Sequence, residues 1–263
     1  MPGKYNFVYS RYTKSYKIVY LEYMIFHFGQ KRFWRLPVWK GLAMKRCLLV
    51  GAAPSGHKGL EHVLETQRFD AVYAVDGGYA TLRERGIVPT KVFGDFDSLG
   101  HVPEHPCVAQ YDAHKDYTDM DLAIQDAELS GYGELVLCDA FEGRLDHTLG
   151  NLQLLVQVAA RGTRVWGVGE EFAVAPLVAP GPFAALSFAE GAWGTCSVIN
   201  HSDVAVGVTE EGMEYGIEDG TTLNRALWGV SNELVGAPAR ISLREGSLWV
   251  LFPLAALSLA SYR

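Results

Sequence analysis

The sequence predicts an α/β protein: a mostly parallel sheet with flanking helices, followed by a small antiparallel β-sandwich. Three observations carry this. From residue 44 to about 172, short apolar runs alternate with stretches of helical periodicity, as strands joined by crossover helices do. From about 173 the helical periodicity vanishes, and short alternating segments punctuated by Gly, Pro and Asn take over. Four acidic motifs (AVDGG at 74–78, FGDFDS at 93–98, HKDYTD at 114–119 and GRLDH at 143–147) each fall where a predicted strand gives way to a loop or a helix.

The elements follow in order. CLLVGA is a short continuous apolar run, as a strand buried on both faces requires. GLEHVLETQ follows as a helix. AVYAVD is the second strand, and YATLRERG a short helix stopped by Gly86. KVFGD and CVAQYD read as strands three and four. TDMDLAIQDAELSG has apolar residues at 120, 123, 124 and 127, which is helical spacing, with Thr118 as N-cap and Gly131 as stop. ELVLCDA is a strand, LDHTLGNLQLLVQVAARG a long helix, and TRVWGVG closes a Rossmann-like series. The second part contributes FAALSFA, TCSVINH, VAVGVT, ARISLRE and SLWVLFP as short strands, with the boundary near PLVAPGP. The expected organisation is therefore 1–43, 44–172 and 173–263.

Composition narrows the function classes. Residues 1–43 hold eight Lys/Arg, the single acid Glu22 and twelve of the 31 aromatics, so the other 220 residues carry a net charge of −14. An acidic body argues against nucleic-acid binding, because phosphate backbones need clustered Lys and Arg. No stretch approaches the roughly 20 apolar residues of a membrane span. Cys47, Cys107, Cys138 and Cys196 show no CxxC pairing and read as small residues in a reducing cytoplasm. The basic, aromatic segment 1–43 lacks a small-residue cleavage site and has its apolar run in the wrong place for a targeting peptide. MKRCLLVGAAP looks like a natural opening strand, so 1–43 is expected to be an appendage.

The chemistry is expected at the strand ends. Ligands on such sheets bind outside the carboxyl ends of the strands. Asp76, Asp95, Asp97, Asp116, Asp119 and Asp146 would share that edge, and so many carboxylates need a counter-charge. A hard cation such as Mg2+, held by carboxylate and phosphate oxygens, is the natural one. Asp95 and Asp97 are two apart in extended backbone, so both reach one side. Asp116, Asp119 and Asp121 flank Thr118 at a helix start. Acids there also satisfy a first helical turn, which suffices for Asp121. Arg144 suits bidentate phosphate binding. Asp146 beside phosphates needs a metal or a donor to balance it. His147 serves either that site or the helix surface. Gly77 and Gly78 after a strand would let a ligand approach the backbone. Neither a Walker loop nor a dinucleotide fingerprint occurs.

In this order, VDGG, GDFDS, KDYTD and GRLDHTLGN, with EGMEYGIED at 211–219 and GVSNE at 229–233, resemble the thiamine pyrophosphokinase family. The resemblance runs from about 47 to 252. It implies a homodimer that transfers pyrophosphate from ATP to the hydroxyl of thiamine, giving thiamine diphosphate and AMP. It implies Asp95, Asp97 and Asp119 as magnesium ligands, with Arg144 and Asp146 beside them in catalysis. It places ATP near Asp76, Gly77, Gly78, Lys115, Asp116, Thr118, His147 and Asn151. Thiamine would meet Tyr215, Ser231 and Asn232, with Tyr215 facing its rings across the dimer. Composition and hydropathy add the expectation of a cytoplasmic enzyme with no nucleic-acid or membrane partner.

One loop departs from the pattern. Where the family is glycine-rich, near GATGG, this chain reads DAFEG, which puts Asp139, Phe141 and Glu142 beside the phosphates. Two alternatives stay open: a related pyrophosphokinase acting on another hydroxymethyl heterocycle such as a pterin, and a non-catalytic sensor of nucleotide or thiamine diphosphate. A retained SNE motif speaks against the first, and the full carboxylate set against the second. A chain beginning at Met44 should fold and turn over like the full-length protein. Insolubility or loss of activity on that truncation would make 1–43 part of the enzyme.

Overall fold

The first strand, β1 (Arg46–Val50), is the hub of a ten-stranded sheet in a computed structural model that describes residues 44–96, 102–110 and 116–262. β2 (Ala71–Val75) and β5 (Glu134–Cys138) flank β1, both parallel to it. From β2 the sheet continues to β3 (Lys91–Gly94) and β4 (Val108–Gln110); from β5 it continues to β6 (Arg164–Val168). The chain thus winds outward on one side of β1, then returns to wind outward on the other. The crevice between the ends of β1 and β5 is the switch point at which such sheets bind ligands.

Helices cover both faces. Leu48 and Val50 of β1 join Leu60 and Val63 of α1 (Lys58–Thr66) and Leu82 of α2 (Gly78–Glu84) in one apolar cluster. Cys47 and Leu49 join Ile124 of α3 (Asp119–Leu129) and Leu155 of α4 (Leu145–Ala160) in the other. A strand clothed on both sides has no solvent face, which is why β1 reads as an unbroken apolar run. At the start of α3 the Thr118 hydroxyl accepts from the Asp121 amide at 3.2 Å, the expected cap. No helix among the described residues is long and apolar enough to cross a membrane.

The change of pattern near 172 is a change of pairing inside the same sheet. β7 (Phe172–Ala179) runs antiparallel to β6 through Gly167↔Val174 and Val168↔Ala173. β14 (Gly246–Pro253), β9 (Trp193–Asn200) and β12 (Asn232–Val235) then extend the sheet to its far edge. A second, five-stranded antiparallel sheet has the order β11-β10-β13-β8-β15. Its strands are β8 (Ala185–Phe188), β10 (Val204–Glu211), β11 (Ile217–Leu223), β13 (Ala239–Ser242) and β15 (Ala260–Tyr262). It packs on β7, β9 and β14, with Phe188 edge-on to Phe252 at 5.0 Å.

Four strands are additions to the sequence reading: β7, β11, β12 and β15. FAVAPLVA carries Pro176, which lacks a ladder donor; β6 pairs β7 only as far as Val174, so Pro176 lies beyond that ladder. IEDGTTL is polar and becomes a strand through its pairing with β10. At the amino ends of the parallel strands, bases hold acids. Arg46 and Arg164 both reach Glu134, at 2.8 and 3.2 Å, and Lys91 reaches Asp126 at 2.6 Å.

Gly78 begins α2 where the helix touches β1: a Cβ there would lie 2.1 Å from the Val50 carbonyl oxygen. At Gly77 the nearest atom is the Ala52 Cβ at 3.1 Å. Gly78→Ala should therefore cost about 1–3 kcal/mol through overpacking. Gly77→Ala should cost less. Thermal unfolding of the two variants reads the difference, at roughly 2–4 °C per kcal/mol for a chain of this size. Equal midpoints would show that the Val50 approach does not govern this turn.

Candidate active site at the carboxyl edge of the sheet

The carboxyl ends of β1, β2, β3 and β5 open onto a cleft of about 490 Å3. Its walls are the 51–54 turn after β1, Asp76 after β2, Asp95 after β3, residues 117–120 at the head of α3, and the 139–144 loop after β5. His147 and Asn151 of α4 complete it. Asp76, Asp95 and Asp119 come together here, each half-buried, with one carboxylate oxygen of each within 4.8 Å of the others.

The backbone holds this cluster in shape. Asp76 sits in the left-handed region at φ 49°, and its amide donates to the Phe93 carbonyl at 2.7 Å. Asp tolerates that conformation better than most residues. Phe96, buried and also left-handed at φ 61°, turns the chain after Asp95. Gly94 leaves room for a carboxylate: a Cβ there would lie 2.3 Å from Asp76 Oδ1. An all-oxygen donor set of carboxylates suits Mg2+, a hard cation that completes its shell with water and phosphate.

Relative to expectation, the trio gains Asp76, read from the sequence as a nucleotide contact. Asp97 and Lys115 lie outside the described residues. Gly77 and Gly78 do not line the cleft; Gly78 is small because β1 crowds it. Thr118 lines the cleft and caps α3. Asn151 is buried, and its amide donates to the Ala140 carbonyl at 2.7 Å, so it ties α4 to the 139–144 loop. Asp116 and Asp146 line an adjoining groove of about 420 Å3 that also borders His147.

Arg144 and Asp146 form an exposed pair, with Nη2 to Oδ2 at 2.6 Å and Nε to Oδ1 at 3.2 Å. The Arg144 hydrogen bonds, helped by the His147 amide, lower the Asp146 carboxyl to about 2. The loop that departs from the family pattern turns its acids inward. Asp139, buried and left-handed at φ 51°, accepts from Ser55 Oγ at 2.8 Å and meets His57 Nδ1 at 2.7 Å. Glu142 accepts from the Glu170 amide at 2.9 Å. Burial pushes its carboxyl up, and its two backbone hydrogen bonds offset only part of that.

The residues expected to meet thiamine lie elsewhere. Asn232 is on β12, at the far edge of the large sheet, seven strand spacings from β2. At ~4.8 Å per spacing that is on the order of 30 Å. Tyr215 and Trp228 are exposed nearby in sequence terms to β12 and β11, while Asn232 is buried. Ser231 sits in the left-handed region, and its amide donates to Ser197 Oγ.

Comparison with known proteins matches this arrangement. Residues 62–166, which hold the carboxylate trio and the Arg144–Asp146 pair, match the family model described as thiamin pyrophosphokinase, catalytic domain. Over that segment the chain is similar to the thiamine pyrophosphokinase family. The thiamine pyrophosphokinase of Bacillus subtilis (strain 168) is 40% identical over 87 residues, a match that spans 31% of this chain and 41% of that relative. The crystal structure of the B. subtilis protein superposes with a TM-score of 0.67 at 23% identity, covering 80% of this chain and 99% of that one. The family member from Geobacillus thermodenitrificans gives 0.66 at 26% identity, covering 79% and 97%. Yeast thiamin pyrophosphokinase gives 0.65 at 11% identity, so the fold persists where the sequence has diverged.

Asp76→Asn should weaken Mg2+ binding roughly tenfold or more, since ligand charge sets the affinity of an oxygen site. Titration calorimetry with Mg2+ and nucleotide reads this directly. Unchanged affinity would remove Asp76 from the cluster's function.

Proposed function

We propose that the chain is an ATP-dependent thiamine pyrophosphokinase that works with Mg2+ as a cytoplasmic homodimer. The observation that carries this reading is the convergence of Asp76, Asp95 and Asp119 within 4.8 Å at the switch-point cleft. The likeness of residues 62–166 to the thiamin pyrophosphokinase catalytic domain supports the substrate class.

The chain's own groups account for most of the work. Phosphoryl-type transfer asks a protein mainly for positioning and charge neutralisation. Asp76, Asp95 and Asp119 would hold Mg2+, which neutralises the triphosphate and aligns attacking and leaving oxygens. The 51–54 turn and the 139–144 loop wall the cleft in which the nucleotide lies. Arg144 faces phosphate with the guanidinium plane fixed by Asp146. The thiamine hydroxyl oxygen bonds to the β-phosphorus of ATP. The bond from that phosphorus to the bridging oxygen breaks, and AMP leaves with the electron pair. The hydroxyl proton goes to a carboxylate. Asp146, lowered to about 2 and held by Arg144, is a poor acceptor; the acceptor must lie within hydrogen-bond reach of the hydroxyl.

Thiamine is a flat cation. Exposed Tyr215 and Trp228 offer ring stacking and cation–π attraction of roughly 0.5–2 kcal/mol. Within one chain these rings are tied to the far edge of the sheet from the carboxylates. That separation supports a site completed by a second copy, whose β12 edge meets the first copy's cleft. Glu142 does not weigh against ATP, because its carboxylate turns to the Glu170 amide.

Purified protein given ATP, Mg2+ and thiamine should form AMP and thiamine diphosphate in equal amounts; transfer to a hydroxymethyl pterin instead would overturn the substrate assignment. Tyr215→Ala should raise the KM for thiamine by about tenfold, the size of a lost cation–π contact, and leave that for ATP unchanged. Mixed dimers of Asp95→Asn and Tyr215→Ala subunits should regain part of the activity, because one of their two sites is undamaged. No recovery in demonstrably mixed dimers would mean that each chain builds its own site.

A further inference from the structure

Glu210 lies near the end of β10 in the smaller sheet, and only 2% of it is exposed. No step proposed above uses it. Its Oε2 accepts a hydrogen bond from Asn232 Nδ2 at 2.8 Å, which joins the smaller sheet to the edge strand of the larger one. Asn232 is itself buried, and its carboxamide is fully engaged. The second hydrogen on Nδ2 goes to the Tyr215 carbonyl at 2.7 Å. Oδ1 accepts from the amides of Tyr215 at 3.0 Å and Glu233 at 2.8 Å. The orientation of this carboxamide is forced. Rotated by half a turn, it would set its oxygen against the Glu210 carboxylate and the Tyr215 carbonyl, and its amino group against two amide donors.

Asn232 therefore grips both backbone groups of Tyr215 and leaves nothing over for a ligand. Glu210 anchors that grip from below, and it reaches a second turn as well. A Cβ at Gly229, left-handed at φ 78°, would lie 3.4 Å from Glu210 Oε1. The Gly229 carbonyl accepts from the Val198 amide at 2.8 Å, so this turn too is fixed on the sheet. The exposed rim of Tyr215, Leu227, Trp228 and Val230 stands on these two turns.

We propose that Glu210 is a positioning residue for the aromatic rim, fixing Tyr215 through the Asn232 carboxamide. This rests on the reading of that rim as the thiamine platform. A backbone clamped at both N–H and C=O fixes the direction in which Cβ leaves the chain, so less of the ring's freedom is lost on stacking. The acid's role is to accept a hydrogen bond, not to supply charge. Burial pushes its carboxyl up from the usual range, and a protonated carboxyl still has an oxygen that accepts.

The test compares Glu210→Leu with Glu210→Gln. Leu removes the acceptor and should raise the thiamine KM roughly tenfold, the size of the lost ring contact, with little change in kcat or in the ATP KM. Gln keeps an acceptor oxygen and should restore the thiamine KM to within about twofold. A Gln variant as poor as Leu would mean that charge, not geometry, matters, and would overturn the proposal. So would a Leu variant with unchanged thiamine KM, or with thiamine and ATP equally affected.

Should the Leu variant not fold, Asn232→Asp is read instead. It sets two carboxylates at hydrogen-bond distance and should raise the thiamine KM. Adding Glu210→Gln, whose amide can donate to the new carboxylate, should recover part of it; no recovery overturns the coupling. Hydrogen exchange separates this inference from the functional reading. The Tyr215 amide should exchange at least about tenfold faster in Glu210→Leu, or in Asn232→Asp, than in the native chain. Unchanged exchange overturns the positioning role. If the native chain transfers no pyrophosphate while exchange responds as expected, the functional reading alone has failed.

Discussion

Three carboxylates held within 4.8 Å of one another repel, and the rest of the molecule is arranged to keep them there. No single element does it. Asp76 leaves β2 through a left-handed residue, Asp95 leaves β3 between Gly94 and the left-handed Phe96, and Asp119 opens α3 behind the Thr118 cap. Sparsely populated backbone of this kind costs of order 1–3 kcal/mol per residue and persists only where surrounding structure over-determines it. Here the surrounding structure is a sheet buried on both faces. Ion pairs at the opposite, amino-terminal edge bind Glu134 and Asp126 to Arg46, Arg164 and Lys91. Stabilising pairs and functional acids thus occupy opposite edges of the same strands. Their separation leaves the carboxyl edge acidic and suited to a cation.

The DAFEG loop shows how a sequence can depart from a family pattern without changing the polarity of the cleft. Two added acids beside a triphosphate would oppose binding if they faced it. Asp139 is hydrogen-bonded by Ser55 and His57, both on the segment between β1 and α1, and Glu142 by the backbone at Glu170. The loop has exchanged glycine mobility for side-chain anchors. Asn151 adds another by holding the Ala140 carbonyl. A cleft wall tied at four points is preorganised, and a binding group that need not be ordered on contact loses less affinity to entropy.

Much of this was legible in the sequence, for identifiable reasons. The α/β half announces itself because burial on both faces forces continuous apolar strands, and helices must carry a 3.6-residue stripe. The Thr118 cap and the Gly86 and Gly131 stops followed from local chemistry. What was hidden is non-local. β7 carries Pro176 and β11 is polar, so neither resembles a strand until its neighbours are in place. The continuity of one sheet across residue 172 depends on two residue pairs, Gly167↔Val174 and Val168↔Ala173, that no local pattern encodes. In the site, Asp76 was visible but its part in the trio was not, since that depends on the room left at Gly94. Asn232 was visible within SNE, yet its inward use appears only once Glu210 lies beneath it.

The same non-local logic sets the division of labour between the two ends of the sheet. A triphosphate needs water-accessible acids that share a cation, and these must sit at a strand edge where backbone geometry can aim them. A flat organic cation needs exposed rings on a rigid, dry support. In this chain the two sets of groups lie at different ends of the sheet. Setting them seven strand spacings apart on one rigid sheet keeps each chemistry intact. In the proposed reaction it places the two chemistries on two copies of the chain. The buried Glu210–Asn232–Tyr215 chain is the counterpart, at the apolar end, of the left-handed residues at the acidic end. In both places buried structure fixes the backbone from which a working side chain leaves.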